Sequence, residues 1–306
     1  MLDCALGGGW VRGRIANIVG DRSTGKTLLA IEACANVAQM YPKADIWYRE
    51  RESAFDKPYA QALGMPLDRI DFGRDNFHTV EGFAADLQAC IEKTKHGGLY
   101  ILDSLDSLTD DAELKRKFGE ASYGMGKAKN MSEMFRRLVR DLEEKQITLM
   151  IISQVRDAIG VTFGQKHKRT GGRALDFYAT HVVYLAHVGR VTREIQKIKR
   201  VVGVDIKAKV EKNKVGLPFR EAEFEIKFGY GIEDFQSCVD WLKLVERLPA
   251  IDIKPAEFNK FLTDSYKLPD HQFRGLCQEV AEATRKVWRD VETRFLPTRQ
   301  KYGNAA

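Results

Sequence analysis

The sequence predicts an α/β fold with a mostly parallel central sheet, an antiparallel extension and a small helical C-terminal domain. Three observations predict it. Short, nearly all-apolar runs alternate with helix-length amphipathic segments through the first half of the chain, the texture of parallel strands covered on both faces by helices. After Ala179 strand-like runs follow one another without intervening helices, as in an antiparallel extension. Beyond Trp241 the chain turns polar and helical, punctuated by Pro249, Pro255 and Pro269. The expected division is a core over residues 1–235 and a helical domain over 236–306.

The elements follow in order. Arg14-Ile15-Ala16-Asn17-Ile18-Val19 reads as the first strand, and Leu28-Leu29-Ala30-Ile31 opens the first long helix. Asp45-Ile46-Trp47-Tyr48 is the second strand. An amphipathic helix from Glu81 to Lys95 leads into the strand Leu99-Tyr100-Ile101-Leu102, and a helix from Asn130 to Glu144 leads into Ile147–Ile152. Thr180–Ala186, Asp205–Val210 and Ala222–Lys227 read as the antiparallel strands. Two glycine-containing stretches, residues 117–129 and 159–173, fit no regular element. The second is long for a loop in a compact domain, and such loops are usually functional.

Composition narrows the function classes. At 306 residues with 44% hydrophobic and 30% charged content, the chain can bury a substantial core. No apolar run approaches a membrane span, and Met1-Leu2-Asp3-Cys4 lacks the basic start and apolar centre of a signal peptide. The five cysteines stand singly, with no Cys-x-x-Cys pair, which argues against a zinc site or disulfide framework and for a cytosol-like compartment. A net charge of +6 permits a polyanionic partner.

Between the first strand and its helix lies Gly20-Asp21-Arg22-Ser23-Thr24-Gly25-Lys26-Thr27, a phosphate-binding P-loop in its strand–loop–helix context. Its glycines let successive N–H groups converge on one phosphate, and the helix N-terminus adds partial positive charge. Lys26 would reach the β- and γ-phosphates of a nucleoside triphosphate, Thr27 would hold Mg²⁺, and Leu28 belongs to the candidate nucleotide-binding residues. In a doubly wound sheet ligands sit beyond the carboxyl ends of the strands. There Asp103 is the candidate Mg²⁺-side carboxylate, Glu50 and Glu52 compete to orient the attacking water, and Gln154 is placed to sense the γ-phosphate.

The run Ser153-Gln154-Val155-Arg156-Asp157-Ala158-Ile159-Gly160-Val161-Thr162-Phe163-Gly164 resembles the bacterial RecA recombinase family. So do Thr170-Gly171-Gly172-Arg173-Ala174-Leu175-Asp176-Phe177-Tyr178-Ala179 and Val210-Glu211-Lys212-Asn213-Lys214. Leu2-Asp3-Cys4-Ala5-Leu6-Gly7-Gly8-Gly9, leading to Gly13-Arg14-Ile15, is similar to the family's approach to the P-loop. The resemblance covers Leu2 to Ile232 and implies a RecA-like P-loop ATPase core. It implies that Glu52 activates water, that Asp56 and Tyr59 lie beside the adenine, and that Asp103 is the Walker B aspartate. Gln154 becomes the γ-phosphate sensor, and Lys212 and Lys214 reach across a protomer interface to the neighbour's ATP. The two irregular stretches correspond to DNA-binding loops, with backbone contacts from Lys129, Ser132 and Arg136, and from Arg156, Thr170, Gly171, Gly172 and Arg173. Ile159 matches an apolar residue wedged between base triplets. Such contacts carry little base identity.

The implied protein is a DNA-dependent ATPase that binds single-stranded DNA, forms filaments and promotes pairing and strand exchange with homologous duplex DNA. Loader or single-strand-binding proteins would be further partners, and the setting the cytoplasm of a bacterial or phage-infected cell. Alternatives are an accessory or regulatory ATP- and DNA-binding protein without strand exchange, and a hexameric DnaB-like helicase motor. The chain departs from the family at several points. The sequence starts almost at the core, so the family's N-terminal docking helix and strand are expected to be absent, whether in a shorter, phage-type version or through loss or removal. The first DNA loop is about one residue longer, Lys129 replaces an arginine, Asp176 replaces a lysine, and the segment Thr298–Tyr302 lacks the family's acidic tail.

Overall fold

The computed structural model describes residues 1–52, 55–73, 77–115, 125–157, 167–169 and 172–299, with the backbone alone at 125, 156–157, 167–169 and 172–173. Two compact units emerge. The larger spans residues 2–222 and 226–231, and the smaller comprises Met1, residues 223–225 and the chain from Ile232 onward.

The larger unit opens with a short helix, α1 (Leu2–Leu6), then β1 (Ile15–Gly20), α2 (Lys26–Met40), β2 (Asp45–Glu50), α3 (Lys57–Ala62), the two-residue β3 (Ile70–Asp71) and α4 (Val80–Lys93). It continues through β4 (Gly98–Asp103), α5 (Asp111–Lys115), α6 (Met125–Glu144), β5 (Ile147–Asp157), β6 (His167–Arg169) and α7 (Gly172–Tyr178). A long hairpin of β7 (His181–Ile195) and β8 (Ile198–Asn213) precedes β9 (Glu221–Lys227) and β10 (Gly231–Glu233), each of which has residues assigned to both units. The sheet has ten strands in the order β10-β9-β8-β7-β1-β5-β4-β2-β3, with β6 paired to β5 off that path.

The strands from β7 to β3 run parallel and β7–β8 is antiparallel, as the sequence predicts. All six residues of β1 and of β4 are buried, which is why their sequences read as unbroken apolar runs. Alternation within each strand divides two cores. Ile15, Val19, Leu149 and Ile151 join Phe83, Leu87, Phe135, Leu138 and Leu142 of α4 and α6 in one cluster, while α2 packs over β1, β2, β4 and β5. Helix starts follow local chemistry. Thr79 accepts from Gly82 N at 3.1 Å ahead of α4, and Asp56 accepts from Tyr59 N at 3.0 Å ahead of α3, both satisfying first-turn donors.

Some element limits differ from expectation. Helix α6 begins at Met125, so Lys127–Lys129 lie on a helix and not in an irregular loop. The β7–β8 hairpin runs well past Ala186. Its outer residues are exposed on both faces, so no apolar period marks them.

In the smaller unit helices α8 (Asp234–Leu244), α9 (Phe258–Ser265) and α10 (Asp270–Arg294) follow. Phe235 is ringed by Phe261, Tyr266 and Phe273 with centroids 5.1 to 6.0 Å away, and Trp241 packs on Trp288 at 5.0 Å. Among the described residues no helix is long and apolar enough to cross a membrane.

Candidate functional site at the strand ends

The site is built where β1, β5, β4 and β2 end together. Parallel register sets Gly20 beside Gln154 and beside Leu185, and Glu50 beside Asp103. Gly20 cannot be larger, since a Cβ there would lie 2.5 Å from Thr24 Oγ1 and 3.0 Å from Leu185 O. Gly25 caps α2 with φ 86°, a conformation closed to most side chains, and a Cβ would strike Ile226 Cδ1 of β9. Thr24 is buried and donates to Asp21 O at 2.9 Å, and Asp21 Oδ1 accepts from Arg22 N at 2.7 Å. Arg22 and Ser23 are exposed, Ser23 with φ 60°. Lys26 folds over the loop, its Nζ donating to Asp21 O at 2.6 Å. Leu28 is buried in the first turn of α2. The result is a glycine-bounded loop ahead of the N-terminus of α2 with the Lys26 ammonium folded over it, a cradle whose chemistry suits a polyphosphate.

Below the cradle Asp103 is 6% exposed. Its Oδ2 accepts from Thr27 Oγ1 at 2.8 Å and from Tyr48 OH at 2.8 Å. Burial pushes its carboxyl above the usual range, against the pull of those two hydroxyls. Burial also lowers the Lys26 ammonium, opposed by Asp103, Glu52, Asp21 and Asp106. Burial raises the Tyr48 phenol well above its ordinary value, with the Asp103 charge adding to it. A buried carboxylate contacted by two neutral donors fits a divalent cation: Thr27 and Asp103 bring hard oxygen donors within 2.8 Å of each other. Among the described residues no group of three or more His, Cys, Asp or Glu is arranged to hold a metal ion by itself.

A second cluster lies beside the first. Glu52 Oε1 accepts from Ser104 Oγ at 2.5 Å and from Gln154 Nε2 at 2.8 Å. Gln154 N in turn donates to Asp106 Oδ2 at 2.7 Å. Glu50 lies outside this junction; its Oε1 accepts from Glu52 N at 2.8 Å and holds the turn. The ends of β2, β4 and β5 are therefore tied through one carboxylate.

The family model for the RecA N-terminal domain matches residues 1–233. The chain belongs to the RecA family. It is 36% identical over 241 residues to Protein RecA of two Porphyromonas gingivalis strains, covering 78% of this chain and 68% of each relative.

The remaining RecA-type positions are placed as follows. Asp56 caps α3, and Tyr59 in its first turn is 39% exposed. Lys129, Ser132 and Arg136 recur at helical spacing on α6, on the side away from buried Met131, Met134, Phe135 and Leu138. Arg156 ends β5, while Gly172 and Arg173 begin α7, described by backbone alone. Ile159, Thr170 and Gly171 lie outside the described residues. Lys212 and Lys214 do not meet the cradle of their own chain. Lys212 Nζ donates to the carbonyls of Asp176 and Phe177, and Lys214 Nζ donates to Phe177 O at 2.8 Å. They cap the carboxyl end of α7, where cations are favoured.

The sequence reading missed Tyr48, Ser104, Asp106 and Ile226. Tyr48 sits in a strand and read as core. Ser104 and Asp106 follow a strand end, where the rule that ligands gather beyond carboxyl ends could have found them.

Proposed function

We infer that this protein is an ATP-dependent recombinase that binds single-stranded DNA, assembles on it with ATP between protomers, and exchanges strands with a homologous duplex. The observation that carries this reading is the junction at Glu52. The Gln154 amide joins the hydrolytic crevice to β5, and β5 continues to Asp157, at the edge of the segment that resembles a DNA-binding loop. A γ-phosphate in the crevice would compete for the Gln154 amide and so bias that segment, and DNA on the segment would bias the crevice in return.

Within the crevice the amides of residues 21–25 and Lys26 hold the phosphates. Magnesium, held by Thr27 and Asp103, neutralises phosphate charge when bound. Glu52 Oε2, which has no hydrogen-bond partner among the described residues, accepts a proton from the attacking water. Ser104 and Gln154 hold the carboxylate in place through Oε1. Lys26 stabilises charge developing on the transferred group, joined by Lys212 and Lys214 of a neighbouring copy. Asp56 and Tyr59 flank the base, and Lys129, Ser132, Arg136, Arg156, Gly172 and Arg173 follow the DNA backbone.

The decisive experiment measures phosphate release with and without single-stranded DNA, beside a strand-exchange assay and electron microscopy with an ATP analogue. Stimulated hydrolysis, filaments and joint molecules are expected. Closed rings that unwind duplex would replace this reading with a helicase. ATP and DNA binding without joint molecules would replace it with an accessory protein.

A further inference from the structure

The outer part of the β7–β8 hairpin leaves the body of the sheet. The β1–β7 register ends at Gly20↔Leu185, and on the other side the Val202 carbonyl accepts from Phe228 N at 2.9 Å. Residues 192–201 therefore form a two-stranded ribbon. It turns at Gln196 and Lys197, with φ 51° and 65°, the turn geometry that matches strand twist. Arg193 stands directly opposite Arg200, and Ile195 directly opposite Ile198. Two residues apart along each strand, the two pairs share one face. Both arginines are exposed, and Ile195 and Ile198 are 58% and 54% exposed.

Like charges directly opposed across a ladder destabilise it. Neither Arg193 nor Arg200 has an ion-pair partner among the described residues; Arg200 Nη1 donates only to the Lys199 carbonyl, at 3.1 Å. Nearer the body, the same hairpin neutralises its cations: Lys207 pairs with Glu221 at 2.6 Å and Lys209 with Glu211 at 2.9 Å. Protecting a free edge needs a charge, but not two arginines face to face beside an isoleucine pair. That combination matches a surface of spaced anions with apolar walls between them. The major groove of duplex DNA, ~12 Å wide, admits a two-stranded ribbon and offers phosphates at its rims and thymine methyls within.

We propose that the ribbon tip, residues 192–201, docks on duplex DNA. Arg193, Arg200 and Lys197 contact phosphates, and the Ile195–Ile198 pair packs in the groove without reading sequence. This deepens the recombinase reading and rests on it only in that the protein must meet a duplex.

The test titrates the full chain against a short fluorescein-labelled mixed-sequence duplex by anisotropy at several salt concentrations. Arg193→Thr/Arg200→Thr keeps strand propensity and removes the repulsion, so its melting temperature should hold. Its duplex affinity should fall about tenfold or more, with a slope of log affinity against log salt smaller by about 2. Arg193→Lys/Arg200→Lys should recover most of both. Ile195→Thr/Ile198→Thr should weaken duplex binding with the salt slope unchanged. Undiminished duplex binding in Arg193→Thr/Arg200→Thr overturns the proposal. So does a loss confined to polyglutamate, which would make the tip a dock for an acidic protein. Hydrolysis stimulated by single-stranded DNA is read on the same samples. Its absence from the parent chain sinks the recombinase reading, whereas a duplex-binding loss confined to the arginine variant still upholds the ribbon.

Discussion

Glu52 and Asp103 both belong to the strand-end site but differ sharply in environment. Glu52 is exposed and accepts two hydrogen bonds on one oxygen, whereas Asp103 is buried beneath two hydroxyls. Glu52→Gln is expected to keep nucleotide binding and slow hydrolysis by about 10²-fold, the usual worth of a positioned base. Glu50→Gln should cost far less, because Glu50 bonds the backbone of the turn. Phosphate release under single-turnover conditions distinguishes them, and an equal loss would move the base. For Asp103 the informative change is Tyr48→Phe. It strips one donor from a buried carboxylate and should cost about 1–3 kcal/mol, seen as a lower denaturant midpoint with an unchanged slope. The P-loop, residues 20–27, was legible because its spacing is local. The partners of Glu52 and Asp103 were not, since Ser104, Gln154 and Tyr48 meet them across 52, 102 and 55 positions of chain.

At the scale of elements, α7 and the end of β8 form one device. Lys212 and Lys214 hold the last carbonyls of a seven-residue helix that directly follows the second loop region. If these lysines serve a neighbour's nucleotide, assembly must release them from α7, so the helix end and the interface compete for the same two cations. Mixing Lys26→Ala protein with Lys212→Ala/Lys214→Ala protein should then restore part of the hydrolysis that each lacks. No recovery in mixtures, with full activity in the lysine variant alone, would confine both lysines to capping. The buried strands β1, β4 and β5 were readable because burial on both faces imposes an apolar run on the sequence. The outer hairpin was not. Its shape is set by cross-strand hydrogen bonds and a turn at Gln196–Lys197, neither of which needs an apolar period.

For the whole molecule, acid should be a selective stress. His181 opens β7, is 1% exposed, and has its Nε2 without a hydrogen-bond partner among the described residues. Burial outweighs the hydrogen bond with Asn213 and lowers the imidazole to about 4. An unfolded chain takes up that proton near pH 6.5, so stability is complete above that pH and drains away as pH falls toward 4. The loss attributable to this group is about 2–3 kcal/mol. Denaturant melts at pH 7 and pH 4.5 measure it, and His181→Gln should flatten the dependence in that window. A slope unchanged by His181→Gln would assign it to the carboxylates.

The sheet finishes on its two shortest path strands, β3 with two residues and β10 with three. Edge strands this short blunt the templating of a strand from another molecule, and the ribbon tip carries charge on its rim. In the proposed assembly, copies of this chain would then meet through side chains and loops more readily than through these two described edges. A junction made that way can be loosened by changing a ligand or a charge, whereas a ladder shared between molecules would lock. For the proposed filament, what the two stunted edges would confer is reversibility: an array that could grow and come apart without unfolding its members.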